Sequence, residues 1–160
     1  MKKHINEYLL DTNNCIYYSN ALKKREERRS SEEKRILHKI NSIGNNTVFY
    51  MSEATLGELV FGAKKSQKKE YNLKQLEIFE KAIPPRKVDR EVWEIFGNMK
   101  AELSQKGRII ADMDLIIAAT AKRYNLILAT HDSNMKNLDF LKKTPIERED
   151  WLENKIHSSK

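Results

Sequence analysis

The chain has 160 residues, with 30 Lys+Arg against 23 Asp+Glu, 39% hydrophobic residues and a single cysteine, Cys15. That length suits one domain with its own core. A lone cysteine excludes a disulfide framework and fits a reducing compartment, and no apolar stretch approaches the ~20 residues needed to span a bilayer.

The formal charge of +7 is compatible with nucleic acid, an anionic membrane surface or an acidic protein as partner, and equally with a well-solvated surface. Positive charge is concentrated in residues 23–39, with eight Lys/Arg and four Glu, and in Lys64, Lys65, Lys68 and Lys69. The amino-terminal Met1-Lys2-Lys3-His4 is basic, but Ile5-Asn6-Glu7 follows, without the apolar core of a secretion signal. A soluble, cytoplasmic protein without membrane attachment is expected.

In chain order, Tyr8-Leu9-Leu10 is a short apolar run that stops at Asp11-Thr12-Asn13. Residues 22–35 are charge-dense and read as a solvated helix or a mobile excursion. Ile36, Ile40 and Ile43 then repeat at helical spacing across Ser31 to Ile43. Val48-Phe49-Tyr50-Met51 is a second apolar run, ending at Ser52, a plausible N-cap for a helix that carries Leu56, Leu59 and Val60 and closes near Gly62. Leu73, Leu76, Phe79 and Ile83 make one amphipathic stripe; Val92, Phe96, Met99 and Leu103 make another, ending near Gly107. Val88, after Pro84-Pro85, suggests a weak extended element before Asp89 caps the next helix.

From Asp114 to Tyr124 the chain is apolar nearly all round, so this helix must be central. Leu126-Ile127-Leu128-Ala129 is the last apolar run, ending at Thr130-His131-Asp132. Short buried strands alternating with helices predict an α/β domain with a central, mostly parallel sheet flanked by α-helices. No repeat or linker divides residues 1–154, and residues 155–160 are expected to fray.

The acids carry the chemistry. Asp11 and Asp132 follow apolar runs, Asp112 and Asp114 open the buried helix, and Glu58 sits among Leu56, Leu59 and Val60. Ligands collect at the carboxyl ends of parallel strands, which allows Asp11, Glu58, Asp114 and Asp132 to meet at one edge. Such carboxylates would raise one another's pKa unless a cation neutralised them. An all-oxygen set suits Mg²⁺ or Mn²⁺ rather than Zn²⁺. Each also has a plainer reading: Asp11 as a helix cap, Asp112 and Asp114 as partners of a helix dipole, Glu58 as a solvent-facing helical acid, and the four lysines as ordinary surface.

The order of these motifs resembles the PIN-domain ribonucleases and, among them, the VapC-type toxins of bacterial toxin–antitoxin pairs. Four stretches carry the likeness: Leu9-Leu10-Asp11-Thr12-Asn13; Ser52-Glu53-Ala54-Thr55-Leu56-Gly57-Glu58-Leu59 with Gly62; Asp114-Leu115-Ile116-Ile117-Ala118-Ala119-Thr120-Ala121; and Leu128-Ala129-Thr130-His131-Asp132. The similarity spans roughly residues 7–151 and closes on Glu149-Asp150-Trp151. It implies a PIN-like fold and a metal site made by Asp11, Glu58, Asp114 and Asp132. Asn13, Ser52 and Thr130 would support that site, with Asp112 as an outer-shell carboxylate.

The resemblance also implies endonucleolytic cleavage of RNA with Mg²⁺ or Mn²⁺, a homodimer, and a small cognate antitoxin whose segment wraps the toxin. Helix faces around Leu37/Ile40 and Leu56/Val60 offer grooves for such a segment, and Lys64, Lys65, Lys68 and Lys69 are candidates to hold flanking phosphates. His131 beside the last acid and the charged stretch 22–35 depart from the commonest form of these toxins; His131 reads more simply as a turn residue than as a general base.

Rival readings are an RNA-maturation nuclease of the same fold without an antitoxin and a non-catalytic RNA-binding module on a decayed nuclease. A third is a Mg²⁺-dependent phosphohydrolase, which Asn13 disfavours by standing where an aspartyl phosphatase usually has a second Asp.

Overall fold

The computed structural model describes residues 5–153. The expected end region 155–160 lies outside them. Strand β1 (Asn6–Leu10) is the centre of a five-stranded sheet, with β2 (Thr47–Ser52) on one side and β4 (Ile127–Ala129) on the other. Two-residue strands close the edges, β3 (Pro85–Arg86) beside β2 and β5 (Arg148–Glu149) beside β4. Every pairing is parallel, so the strands' carboxyl ends all point to one edge. The three apolar runs read from sequence are the three central strands.

Alternation along each strand sorts side chains to opposite faces. Leu9 and Leu128 face a core built largely by α5 (Arg90–Gln105) and α6 (Asp112–Arg123), including Val92, Met99, Leu103, Leu115 and Ile117. Tyr8, Leu10, Met51 and Ala129 face the other core. There they meet Cys15 of α1 (Thr12–Lys23), Ile36 and Ile40 of α2 (Ser31–Ile43), and Phe79 of α4 (Lys69–Ala82). Helix α3 (Glu53–Lys65) follows β2 directly. Leu115 through Ala121 are buried without a break, as the nearly all-apolar pattern of that helix predicts.

Several elements differ from expectation for identifiable reasons. The charged stretch 22–35 is ordered: it ends α1, makes a 3-10 turn at Glu26–Arg28 and begins α2. Ser30 and Glu33 form a reciprocal capping box at the start of α2, and Lys24 Nζ reaches the nearly buried Glu33 Oε1 at 2.7 Å. Local hydrogen bonding therefore holds a turn that hydrophobic pattern cannot reveal.

The weak extended element lies at Pro85–Arg86, not at Val88, and Pro84 O accepts from Met51 N at 3.1 Å. Proline suits an edge strand, which does not need every amide. Helix α3 continues past Gly62 to Lys65. Strand β5 has two polar residues and so leaves no hydrophobic trace. No helix among the described residues is long and apolar enough to cross a membrane.

The loop leading to β5 is anchored by the buried Glu102. It accepts from Lys106 Nζ at 2.8 Å, Lys142 N at 2.7 Å and Lys143 N at 3.2 Å. The Lys106 contact, then the two amides, hold its carboxyl down at about 2 from an ordinary 4.5. A depressed carboxyl pKa adds stability that is present above the unfolded value and is lost as pH falls through the folded one. Melting temperature is therefore expected to drop between about pH 4.5 and pH 2. Glu102→Gln should melt lower at neutral pH and lose that component of the acid dependence in thermal scans; an unchanged pH profile would contradict the anchor.

Candidate active site

The carboxyl edge of the sheet gathers the acids. Asp11 is the first residue after β1 and caps α1, accepting from Asn14 N on Oδ1 at 2.8 Å. Its other oxygen, Oδ2, accepts from the hydroxyl of Thr130 at the end of β4. Thr130 Oγ1 in turn accepts from Asp132 N at 3.2 Å. One buried hydroxyl thus ties the acid after β1 to the turn carrying the acid after β4. Asn14 is also buried; its Nδ2 donates to Ala129 O at 3.0 Å, while Oδ1 has no hydrogen-bond partner among the described residues. An orphaned buried acceptor carries a desolvation cost unless something supplies a donor or a positive charge.

Glu58 reaches the same region from α3. Thr12 Oγ1 donates to Glu58 Oε1 at 2.6 Å and lies 3.1 Å from Thr55 Oγ1. Thr12 has one hydroxyl proton and spends it on the carboxylate, so Thr55 is the donor in the second contact. Asp114 stands in the first turn of α6. Asp132 caps the following 3-10 segment, Ser133–Phe140, by accepting from Asn134 N at 2.8 Å.

Electrostatics shows that these acids share a field. Burial pushes the Asp11 carboxyl up to about 6, against the Thr130 and Asn14 hydrogen bonds, and Asp114 and Asp132 add to the rise. Asp114 is raised by burial first, then by Asp132 and Glu58. Among the described residues, no three of these side chains lie at the spacing that would hold one ion. The donor set is hard oxygen throughout, and the charges of its neighbours add to the rise of Asp11 and of Asp114, so the residues fit a divalent cation of the Mg²⁺ or Mn²⁺ kind.

Other expected positions separate into scaffold and surface. Ser52 is fully buried, caps α3 through Ala54 N at 3.2 Å, and meets Thr120 Oγ1 at 2.9 Å. Thr120 donates to Ile116 O, so Ser52 is the donor to Thr120 and locks the start of α3 onto α6. Asn13 is exposed, whereas its neighbour Asn14 makes the buried contacts. Asp112 turns outward to Lys100 Nζ at 2.7 Å. Lys64, Lys65, Lys68 and Lys69 are exposed at the corner between α3 and α4. His131 lies in the turn after β4 with Nδ1 at 2.8 Å and 2.9 Å from the two Asp150 oxygens.

Sequence reasoning assigned no role to Thr12, Asn14 or Thr55. Thr12 and Thr55 lie inside the first two family-like motifs, and Thr12 carries the one local signal, a hydroxyl directly after Asp11.

Comparison with known proteins gives the family. The family profile described as PIN domain matches residues 8–141. The chain is 33% identical over 146 residues to Ribonuclease VapC2 of Haemophilus influenzae, covering 91% of this chain and 98% of that one. It is 30% identical to the tRNA(fMet)-specific endonuclease VapC of Shigella flexneri, over 91% of this chain and 98% of that one. Among solved structures, VapBC2 from Rickettsia felis, crystallised with a DNA fragment from its promoter, superposes with a TM-score of 0.73 at 28% identity, covering 91% of this chain and 98% of that one.

Proposed function

This chain belongs to the PIN-domain family, with ribonucleases of the VapC kind as its relatives, and from that premise we propose that it is a divalent-metal-dependent endoribonuclease, the toxin of a toxin–antitoxin pair. The observation that carries this reading is the set of four acids from four separate segments, Asp11, Glu58, Asp114 and Asp132, brought into one electrostatic field at the carboxyl edge of the sheet.

These four residues would hold Mg²⁺ or Mn²⁺, which when bound screens phosphate charge and lowers the pKa of water. The protein's own part is positioning. Thr130 orients Asp11 and the Asp132 turn, Thr12 orients Glu58, and Ser52 fixes α3 against α6. Lys64, Lys65, Lys68 and Lys69 at the α3–α4 corner would hold flanking phosphates of the RNA.

The relative from Rickettsia felis was solved as VapBC2, and another, VapBC-1, comes from nontypeable Haemophilus influenzae. Those likenesses support a small antitoxin as partner, and a homodimer and a cytoplasmic setting follow from the same reading. The maturation-nuclease alternative shares every site residue and differs only in lacking an antitoxin.

Induced expression in a bacterial host separates the two. Growth arrest is expected within the first generations, with full relief by Asp11→Asn and by co-expression of the cognate antitoxin. Normal growth with soluble wild-type protein would sink the toxin assignment and leave the maturation reading in place.

A further inference from the structure

A groove between α1, α3 and α4 opens beside the acid cluster and shares Glu58 with it. Its volume is about 330 Å³, at the small end of ligand pockets, suited to one flat ring system. Leu59, Leu76 and Phe79 supply an apolar floor, while Asn20, Asn72 and Lys23 bring polar groups to the lining. Asn72 Nδ2 donates to Ser66 Oγ at 2.8 Å. That bond fixes the amide and leaves Oδ1 as an acceptor.

We propose that this groove is a base-binding subsite, taking one unstacked nucleobase of the RNA strand next to the phosphate that is cut. The proposal rests on the nuclease reading above and names how that site chooses its substrate. Specific RNA recognition targets bases splayed out of a single strand, with faces on apolar or aromatic side chains and edges hydrogen-bonded. Here the ring faces meet Leu59, Leu76 and Phe79, an exocyclic amine donates to Asn72 Oδ1, and Lys23 answers the backbone charge. Continuity decides the occupant: Glu58 belongs to both the acid cluster and the groove wall, so a base in the groove places its neighbouring phosphate at the acids. Uracil, which has no exocyclic amine, is the disfavoured base.

The experiment uses the full-length protein, Mg²⁺ and a randomised single-stranded RNA library, with the cut ends sequenced. Wild type is expected to disfavour uracil at one position flanking the cut by about tenfold, the worth of one rim hydrogen bond. Asn72→Ala should level that position, and Asn72→Gln should restore part of it. Gly62 lines the groove, and a Cβ there meets nothing within 4 Å, so Gly62→Leu adds a side chain at the groove wall without straining the fold. This variant should melt like wild type and cut at least about tenfold more slowly.

No base preference beside the cut in wild type, or unchanged preference and rate in both Asn72→Ala and Gly62→Leu, would overturn the subsite. So would an unchanged RNA profile in Gly62→Leu combined with lost neutralisation by a co-expressed antitoxin, which would give the groove to a peptide. A wild type that cuts nothing, or an Asp114→Asn variant that cuts equally well, marks failure of the nuclease reading itself and brings the subsite down with it.

Discussion

Asp114→Asn is expected to lower RNA cleavage on the order of 10²–10³-fold, the scale seen when one electrostatic contact at a reacting centre is removed, while leaving the fold intact. Asn has nearly the volume of Asp, and Asp114 makes none of the hydrogen bonds that cap α6. What it contributes is charge, in a position where burial first, then Asp132 and Glu58, already raise its pKa. A group held at such cost for function should be a burden on the metal-free fold. The same variant is therefore expected to melt higher than wild type in EDTA, where repulsion among the acids is unrelieved. Asp11→Asn should lose cleavage to a similar degree without the gain, because Asp11 also receives Asn14 N and the Thr130 hydroxyl. Cleavage within tenfold of wild type in purified Asp114→Asn would refute the acid site, and activity and melting are read from the same preparation.

Withdrawal of divalent cations is the second large effect. EDTA is expected to abolish cleavage, and Mg²⁺ or Mn²⁺ to restore it. The protein should also report the ion through its stability. A ligand at about 100 times its Kd contributes about 2.7 kcal/mol, several degrees of melting temperature for a domain of this size.

The pH dependence has a definite sign. Asp11 is raised from 3.8 to about 6, so the folded state binds a proton there more tightly than the unfolded chain does. That contribution is complete below the unfolded value and is lost as pH rises through about 6. In EDTA this group should lower the melting temperature across that window, and saturating Mg²⁺ should flatten the slope. Cleavage undiminished by EDTA, or a melting curve blind to Mg²⁺ at every pH, would contradict a resident dication. Most of this window lies above the acid loss assigned to Glu102, which runs from about pH 4.5 to about pH 2, and the two have opposite sign.

Much of the fold was legible because its signals are local. Leu9, Leu128 and the run from Leu115 to Ala121, Thr120 apart, are apolar where a parallel sheet and a central helix must be apolar, and all are buried. The elements that escaped have no such pattern. Strand β5 is Arg148–Glu149, and β3 begins on a proline; both are strands only because a neighbouring edge offers them hydrogen bonds. The turn through Arg25–Ser30 reads as charge, yet it is held by Ser30, Glu33 and Lys24 through contacts that composition does not encode.

The site divides in the same way. Residue type and motif order by themselves single out Asp11, Glu58, Asp114 and Asp132 as the candidate acids, point to a hard cation for an all-oxygen set, and give the alternation of strand and helix. Tertiary structure decided which polar neighbours serve them. It buried Asn14 and left Asn13 exposed, turned Asp112 out to Lys100, and put Thr130 between Asp11 and Asp132.

The physical reason is the reach of each interaction. Hydrophobic periodicity acts over a few residues and can be read along the chain. The burial that raises Asp11, and the charges of Asp114 and Asp132 that add to it, arise only when parallel crossovers carry residues 11, 114 and 132 to one edge of the sheet.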